Sequence, residues 1–452
     1  MYTIILSSNM AKFILLIIII FHSFLLTKLI FFPYPELFIY PYLTNHGLKP
    51  YQQIIDQHFP GLMFLPINFD NLGMTNPDTA RIWLIVTVVI TQVLIFVVSK
   101  EILKSSKRAI LVNILYLFWQ PFFEGWVLWI DSFLPLILLP AFYTILKRRF
   151  FISGILVGLA VIFKQVIIPL AIILAFYIWW ESKEFKKLRD FLIGLIIPIL
   201  LVIIYLIGIG VLNDFFYWTV IFNLTVFAKY GRGEGADFAH LSRVVLVFGP
   251  AFLAVGKIKE RSVQILMIFL IGSLIGLTTR FDFVHFQPAL PFALMATVYG
   301  LGGFRKLWKL GFVGIYGLIL VWWLIIFYQG HIGNKVFFFD ESTKALAGKI
   351  MKYTKPGDKI FVYGGSPHLY QMSNTLPAGN VFVFQFPWFY KVAQDRILQG
   401  LINDKPKIII SQADAMIEGV QIKDFASKID EYININYERL DNVGSTLILK
   451  RK

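Results

Sequence analysis

The pair Lys164-Gln165 interrupts an otherwise apolar stretch that runs from Ile155 to Leu174. A charged side chain in the middle of a membrane span costs roughly 2.5–3.5 kcal/mol on insertion scales, so such residues by default mark functional sites. An ammonium group at this position fits the binding of a phosphate or a carboxylate. The alternative is a lysine that only extends its head group to the polar surface of the bilayer.

Charged and aromatic residues alternate in the segment Arg280-Phe-Asp-Phe-Val-His. In a short loop this pattern predicts that Arg280, Asp282 and His285 lie near one face. A guanidinium group suits an anionic phosphate, because its planar fork donates two parallel hydrogen bonds. The alternative is that Arg280 and Asp282 pair with each other at the level of the lipid head groups.

Three carboxylates beside apolar segments could remove a proton or bind a substrate. Glu36 follows the first apolar segment, where a carboxylate can act as general base on an acceptor hydroxyl; alternatively, it is solvated at a helix start. Asp56 and His58 precede a Phe-Pro-Gly turn that would press them towards the membrane, or they only anchor their loop. Asp131 ends a hydrophobic hairpin that begins at Glu124. An N-cap role for Asp131 at the start of the next helix is at least as good an explanation as catalysis.

Composition indicates that these residues lie in a membrane protein. The chain has 452 residues, of which 57% are hydrophobic and 15% charged, whereas soluble chains carry about 25% charged residues. The net charge of +15 would suggest binding to nucleic acid if the protein were soluble. In a membrane protein it indicates that basic residues are concentrated in the cytoplasmic loops. The chain lacks cysteine, which excludes disulfides, thiolate metal sites and thiol catalysis.

The hydropathy pattern predicts an α-helical polytopic membrane protein with about eleven transmembrane helices. The predicted spans are 12–32, 81–99, 109–123, 131–146, 150–163, 165–180, 190–211, 243–256, 262–278, 288–304 and 310–328. Short loops on one side are basic, for example 100–108 and 183–189, and those on the other side are sparse in basic residues. The positive-inside rule therefore predicts a cytoplasmic N-terminus and an extracytoplasmic C-terminal segment.

Two domains are expected, a transmembrane domain over residues 1–334 and an extracytoplasmic α/β domain over residues 335–452. The long outer loops 33–80 and 212–242 are rich in aromatic residues, which predicts amphipathic helices on the membrane surface. In the C-terminal domain, strands are expected at 359–363, 381–384 and 407–411, helices at 342–353, 390–403 and 422–432, and an edge strand at 446–450.

The order of these features resembles the GT-C superfamily of membrane glycosyltransferases. It is most similar to the bacterial protein mannosyltransferase and aminoarabinose transferase type, over roughly residues 12–328. Where that family usually has an Asp-Glu pair this sequence reads Pro35-Glu36, so only Glu36 carries over as the base and Asp56 remains the alternative. The family's His/Lys-Pro-Pro-Leu stretch matches His58-Phe-Pro-Gly-Leu62.

The resemblance implies that a sugar moves from a polyprenyl-phosphate donor to a hydroxyl acceptor on the extracytoplasmic side, with inversion. Its implied donor-phosphate residues are Lys164, Gln165, Arg280 and His285. Its implied substrate contacts are His58, Asp131, Tyr230 and Asp282. The expected partners are membrane lipid, the lipid-linked donor and an unidentified protein, lipid or glycan acceptor, with no nucleic acid and no metal or other cofactor. The expected location is the cell (inner) membrane.

The main alternative is a transporter or flippase of lipid-linked sugars. Such proteins usually show internal repeats and helices broken at mid-membrane. This sequence shows no clear repeat, and its polar groups lie towards the outer edge of the predicted spans. A non-enzymatic scaffold would not need Lys164 or Arg280 at such insertion cost, so the sequence favours an enzyme.

Overall fold

The computed structural model describes residues 8–231, 235–278, 280–303 and 306–452. The predicted loop 212–242 and the predicted span 288–304 each include residues outside these ranges. The chain divides into two compact units. Unit 1 comprises Met1–Phe32, Ala80–Leu201 and Glu234–Lys335, and unit 2 comprises Pro33–Thr79, Val202–Gly233 and Val336–Lys452.

A helix lies at each of the eleven positions that the sequence predicts to cross a membrane. The helices are Ser8–Lys28, Pro77–Leu103, Ser106–Phe122, Ile130–Leu146, Phe150–Phe163, Ile168–Ser182, Phe185–Gly208, Phe238–Phe248, Arg261–Leu274, Leu290–Leu301 and Lys306–His331. In the described part of the chain, six helical segments are long and apolar enough to cross a membrane, and four shorter helices are also apolar. The exposed side chains of these helices are largely Leu, Ile, Val and Phe, as expected for a surface in contact with lipid.

Glycine allows two helices of unit 1 to approach closely. A Cβ atom on Gly154 would lie 2.1 Å from the carbonyl oxygen of Phe191, and one on Gly194 would lie 2.1 Å from that of Phe151. Small residues at such crossings are a common means of packing helices in lipid, where the hydrophobic effect does not drive helix association. This contact holds the helix Phe150–Phe163, whose end carries Lys164, against the helix Phe185–Gly208.

Unit 2 contains a five-stranded mixed sheet from the C-terminal segment. Its strand order is Tyr437–Val443, Thr446–Arg451, Ile408–Ser411, Lys359–Tyr363 and Leu376–Pro377. The first two pairings are antiparallel and the last two are parallel. The prediction of an edge strand at 446–450 is therefore wrong, because Tyr437–Val443 lies outside it. That outer strand is charged and largely exposed, so it lacks the apolar run by which strands are recognised.

The first two predicted helices of this segment are Glu341–Tyr353 and Pro387–Asp404, close to their predicted positions. The third predicted helix, 422–432, is divided into Ile422–Phe425 and Ser427–Asn436. Residues 381–384 form a strand of two residues, Phe382–Val383. It pairs in parallel with Ile54–Ile55 of the first long loop rather than with the five-stranded sheet.

The first long loop and residues 212–231 of the second are folded as parts of unit 2. In the helix Glu36–Asn45, residues 36–43 are all buried, so it is not the amphipathic surface helix that the sequence predicts. The second loop contains the π-helix Tyr217–Phe227, in which the ring of Phe222 stacks on Phe389 at 5.2 Å. Aromatic residues of both loops, such as Tyr40 and Phe222, are therefore buried within a folded unit.

Candidate functional site

Three ionisable side chains from separate elements of unit 1 meet in one buried cluster. Asp131 lies in the first turn of the helix Ile130–Leu146, after its N-cap residue Trp129. Lys164 follows the helix Phe150–Phe163 in an extended conformation, before the next helical turn. His285 belongs to a short 3-10 helix in the loop before Leu290–Leu301. The break at Lys164 gives its side chain a direction that a continuous helix would not allow.

One carboxylate oxygen joins this cluster. Asp131 Oδ2 lies 2.5 Å from Lys164 Nζ and 3.0 Å from His285 Nδ1, and the two nitrogens are 3.1 Å apart. The side chains of Asp131 and Lys164 are only 2% and 8% exposed. Lys164 is thus paired rather than extended to a polar surface, and Asp131 is an ion-pair partner rather than the N-cap residue. A buried charge needs such a partner, because removing it from water is unfavourable.

A second ion pair lies beside the cluster. Arg280 Nε is 2.8 Å from Asp282 Oδ2, and His285 Nε2 is 3.8 Å from the same oxygen. The alternative interpretation of Arg280, a pair with Asp282, therefore describes the structure. About one third of each side chain is exposed. The arrangement contains two cations and two anions around His285, so an anionic ligand would compete with the carboxylates for Lys164 and Arg280.

Glu124 links the turn before the helix that carries Asp131 to the loop that carries His285. It lies in the turn after the helix Ser106–Phe122, and its Oε2 accepts a hydrogen bond of 2.9 Å from the backbone N–H of Val284. Burial raises the pKa of Glu124 to about 7. Gln287 reinforces the link by donating to the carbonyl oxygen of Phe123 at 2.6 Å. The sequence marks Glu124 only as the first residue of a hairpin.

A separate polar cluster lies within unit 2 and is centred on Asp56, which is 2% exposed. Its Oδ2 accepts a hydrogen bond of 2.5 Å from the hydroxyl of Tyr40. Its Oδ1 accepts from the backbone N–H of His58 at 2.7 Å and lies 2.8 Å from His58 Nδ1. Burial, followed by the nearby Asp56 charge, raises the pKa of Tyr40 well above its usual value, so its hydroxyl stays a donor.

The loop of Asp56 and His58 is fixed by hydrogen bonds to its backbone. The hydroxyl of Tyr51 donates to the carbonyl oxygen of His58 at 2.9 Å. The side-chain amide of Asn223, in the π-helix Tyr217–Phe227, donates to the carbonyl oxygen of Gln57 at 3.0 Å. π-helices are rare and often occur at functional sites. No pattern in the sequence indicates the role of Asn223.

The remaining predicted residues have varied surroundings. Glu36 is buried in the first turn of its helix, where the helix dipole favours a negative charge. Gln165 opens the half-buried turn after Lys164. Tyr230 is 46% exposed, and Lys391 Nζ lies 4.3 Å from the centre of its ring. Within the described ranges, no group of three or more His, Asp or Glu side chains could hold a metal ion.

Comparison with known proteins indicates the fold. No protein-family model and no curated protein matches the chain. It is similar to the crystal structure of ArnT from Cupriavidus metallidurans bound to undecaprenyl phosphate, with a TM-score of 0.62. The sequences are 9% identical, and the match covers 98% of each chain. This similarity confirms the predicted fold class: the chain has a GT-C-like polytopic membrane fold.

Proposed function

We propose that this chain is an integral membrane glycosyltransferase that moves a sugar from a polyprenyl-phosphate donor to an acceptor hydroxyl, with inversion. The observation that carries the proposal is the buried cluster of Asp131, Lys164 and His285. A cation held among apolar helices fits a ligand whose charge is a phosphate and whose tail is a lipid. The GT-C-like fold supports the same function, and the similar ArnT structure holds undecaprenyl phosphate.

The donor phosphate is the group that Lys164 and Arg280 would bind. When the bond from the sugar to the phosphate breaks, negative charge increases on the leaving phosphate, and preorganised cations stabilise it more strongly than water does. Asp131 orients Lys164 until the donor competes for it. Gln165 and His285 would complete the phosphate contacts, and no metal ion is required.

The acceptor hydroxyl must lose a proton as it attacks the sugar. Glu36 and Asp56 are the carboxylates proposed for this step, and His58, Asp131, Tyr230 and Asp282 are proposed to contact substrate. Asp56 accepts hydrogen bonds from Tyr40 and His58 on both of its oxygens. We further propose that the reaction takes place on the extracytoplasmic side of the cell (inner) membrane, as the charge pattern of the loops predicts.

The test is to supply the purified protein with a set of polyprenyl-phosphate sugars and to identify the transferred sugar by mass spectrometry. Replacing Lys164 alone would leave Asp131 buried without its partner, which destabilises proteins by roughly 3–5 kcal/mol. The informative variant is therefore the double change Asp131→Asn with Lys164→Met. It should fold, bind undecaprenyl phosphate weakly and transfer no sugar.

Lys164→Arg preserves the charge and should retain part of the donor binding. Lys186→Met removes an exposed lysine and should behave as the unaltered protein. Normal donor binding and transfer by the double variant would contradict the proposed role of the cluster. Movement of the lipid-linked sugar across vesicles without any product would instead indicate a transporter or flippase.

A further inference from the structure

Two neighbouring helices of unit 1, Ile168–Ser182 and Arg261–Leu274, leave an open groove between them. The groove has a volume of about 340 Å³, and most of its lining is apolar, including Ile173 and Ile271. We propose that it binds an anionic glycerophospholipid of the bilayer, with one acyl chain between the two helices and the phosphate at Arg148. This binding site is additional to the proposed glycosyl transfer and does not depend on it.

The groove has a length that suits an acyl chain within one leaflet. Its lining includes residues seven positions apart on each helix, Ile173 and Trp180 on one and Gln264 and Ile271 on the other. At about 1.5 Å per residue, it follows each helix for roughly 10 Å. One leaflet contributes half of a hydrocarbon core that is roughly 30 Å thick. Because Ile271 is 48% exposed, the groove is open at its side, where an acyl chain can enter.

One side-chain hydrogen bond joins the two walls of the groove. The hydroxyl of Tyr177 donates to Gln264 Oε1 at 2.9 Å. Within the described residues, the amide nitrogen of Gln264 makes no hydrogen bond. A polar group without a partner is unfavourable next to hydrocarbon. In a glycerophospholipid the ester carbonyl oxygens lie between the phosphate and the acyl chains, so one of them can accept from Gln264 while the chain extends towards Ile271.

Positive charge is in excess at one end of the groove. Glu181 lies one helical turn beyond Tyr177. Its Oε1 is 2.7 Å from Arg148 Nη2 and 3.0 Å from Arg261 Nε, so two guanidinium groups share one carboxylate. Arg261 also donates to main-chain carbonyl oxygens at the end of the helix Ile130–Leu146. The side chain of Arg148 is half exposed and, within the described residues, bonds only to Glu181, so it has donors left for a phosphate.

The charged end of the groove is remote from the cluster around Lys164. That residue precedes the helix Ile168–Ser182, whereas Glu181 lies at the other end of this helix, whose 15 residues span roughly 22 Å. The charge pattern of the loops predicts that the end with Glu181 is cytoplasmic. The cytoplasmic leaflet holds anionic lipids, and basic pockets between transmembrane helices on that side bind their head groups. A bilayer phospholipid, rather than the polyprenyl-phosphate donor, therefore fits this end.

The first experiment measures the binding of phosphatidylglycerol to the full chain in detergent by native mass spectrometry. Phosphatidylcholine with the same acyl chains should bind at least about tenfold more weakly, because its head group has no net charge. Arg148→Met should weaken the binding of phosphatidylglycerol by about tenfold or more, the loss expected for a hydrogen bond between charged groups. This variant should fold, since Glu181 keeps Arg261 as a partner. Arg189→Met is the matched control, because the side chain of Arg189 is 49% exposed and paired with Asp190; it should bind phosphatidylglycerol normally.

The second experiment blocks the acyl chain. Ile271→Trp places a large ring in the groove, and the exposure of Ile271 leaves room for this ring outside the core. Binding of phosphatidylglycerol should fall by about tenfold or more, because the chain loses its contacts with both helices. Ile172→Trp is the control, because Ile172 is 64% exposed on the helix Ile168–Ser182 but does not line the groove. It should bind phosphatidylglycerol as the unaltered protein does. Melting temperatures without added lipid check that each variant is folded.

Equal binding of the two phospholipids would overturn the proposal, as would unchanged binding of phosphatidylglycerol in Arg148→Met or Ile271→Trp. Displacement of phosphatidylglycerol by undecaprenyl phosphate at equal concentration would assign the groove to the donor lipid and also overturn it. The double variant Asp131→Asn with Lys164→Met should bind phosphatidylglycerol normally, even if it binds no undecaprenyl phosphate. Loss of both lipids in that variant would contradict a separate site in the groove.

Discussion

At the scale of single residues, the sequence identifies unusual groups better than it identifies their partners. Lys164 and Arg280 are conspicuous because charge is unfavourable in an apolar stretch. The partners of Lys164 are Asp131 and His285, which are 33 and 121 residues away in the chain. Such pairings depend on how helices pack, and nothing in the local sequence reports them. Asp56 and His58 are two residues apart, so their pairing could be anticipated.

Glu124 provides a prediction about pH and stability. Burial raises its pKa from 4.5 to about 7. The folded state therefore binds the proton more tightly than the unfolded state, and stability contributed by this group declines as pH rises from about 4.5 to about 7. Glu124→Gln can still accept from Val284 N–H but does not titrate. Its melting temperature relative to the unaltered protein should thus increase between pH 5 and pH 8.

Thermal unfolding in detergent at several pH values measures this difference. Glu184→Gln is the control, because the side chain of Glu184 is 57% exposed. It should show no comparable trend. A difference between Glu124→Gln and the unaltered protein that is constant with pH would mean that Glu124 does not titrate in this range.

At the scale of elements, the length of an apolar stretch is enough to predict the helices. The aromatic content of the long loops is not enough to predict their structure. Each predicted span coincides with a helix, because about twenty apolar residues leave few alternatives. The aromatic residues of 33–80 predict an amphipathic helix on a membrane surface. The helix Glu36–Asn45 is instead buried in unit 2. Composition alone does not distinguish an apolar face packed against protein from one packed against lipid.

The close contact between the helices Phe150–Phe163 and Phe185–Gly208 predicts that the effect of a Gly→Ala change on stability depends on its position. Alanine in place of glycine normally stabilises a helix by about 1 kcal/mol. At Gly154 the new Cβ would meet the backbone oxygen of Phe191 at 2.1 Å, and backbone cannot move aside cheaply. Gly154→Ala should therefore be destabilising, by roughly 1–3 kcal/mol.

Gly317→Ala is the matched control, because a Cβ atom at this position of the helix Lys306–His331 would have no atom within 4 Å apart from its chain neighbours and the backbone of its own helix. It should leave the melting temperature unchanged or raise it. The two variants are compared by thermal unfolding in the same detergent. Equal shifts in both would show that the contact between the helices at Gly154 does not limit their packing.

At the scale of the whole molecule, this chain shares its fold with a solved structure to which its sequence is only 9% identical. This is physically reasonable, because lipid-facing helices require apolar side chains of suitable length and not particular residues. The first long loop and the C-terminal segment are both part of unit 2, where Ile54–Ile55 pairs with Phe382–Val383. A strand pair cannot form across a membrane, so these two segments must lie on the same side.

This constraint tests the predicted topology. Between the segments of unit 2, the described part of the chain has six helices at predicted spans from Pro77 to Gly208 and four from Phe238 to His331. Both numbers are even, which returns the chain to the side where it started. With a cytoplasmic N-terminus and one span before Pro33, unit 2 is expected outside. Alkaline phosphatase fused after Lys452 should therefore be active in cells, and the same fusion after Lys186 should be inactive. Activity in the reverse pattern would invert the predicted orientation, and activity at both positions would contradict the number of spans between them.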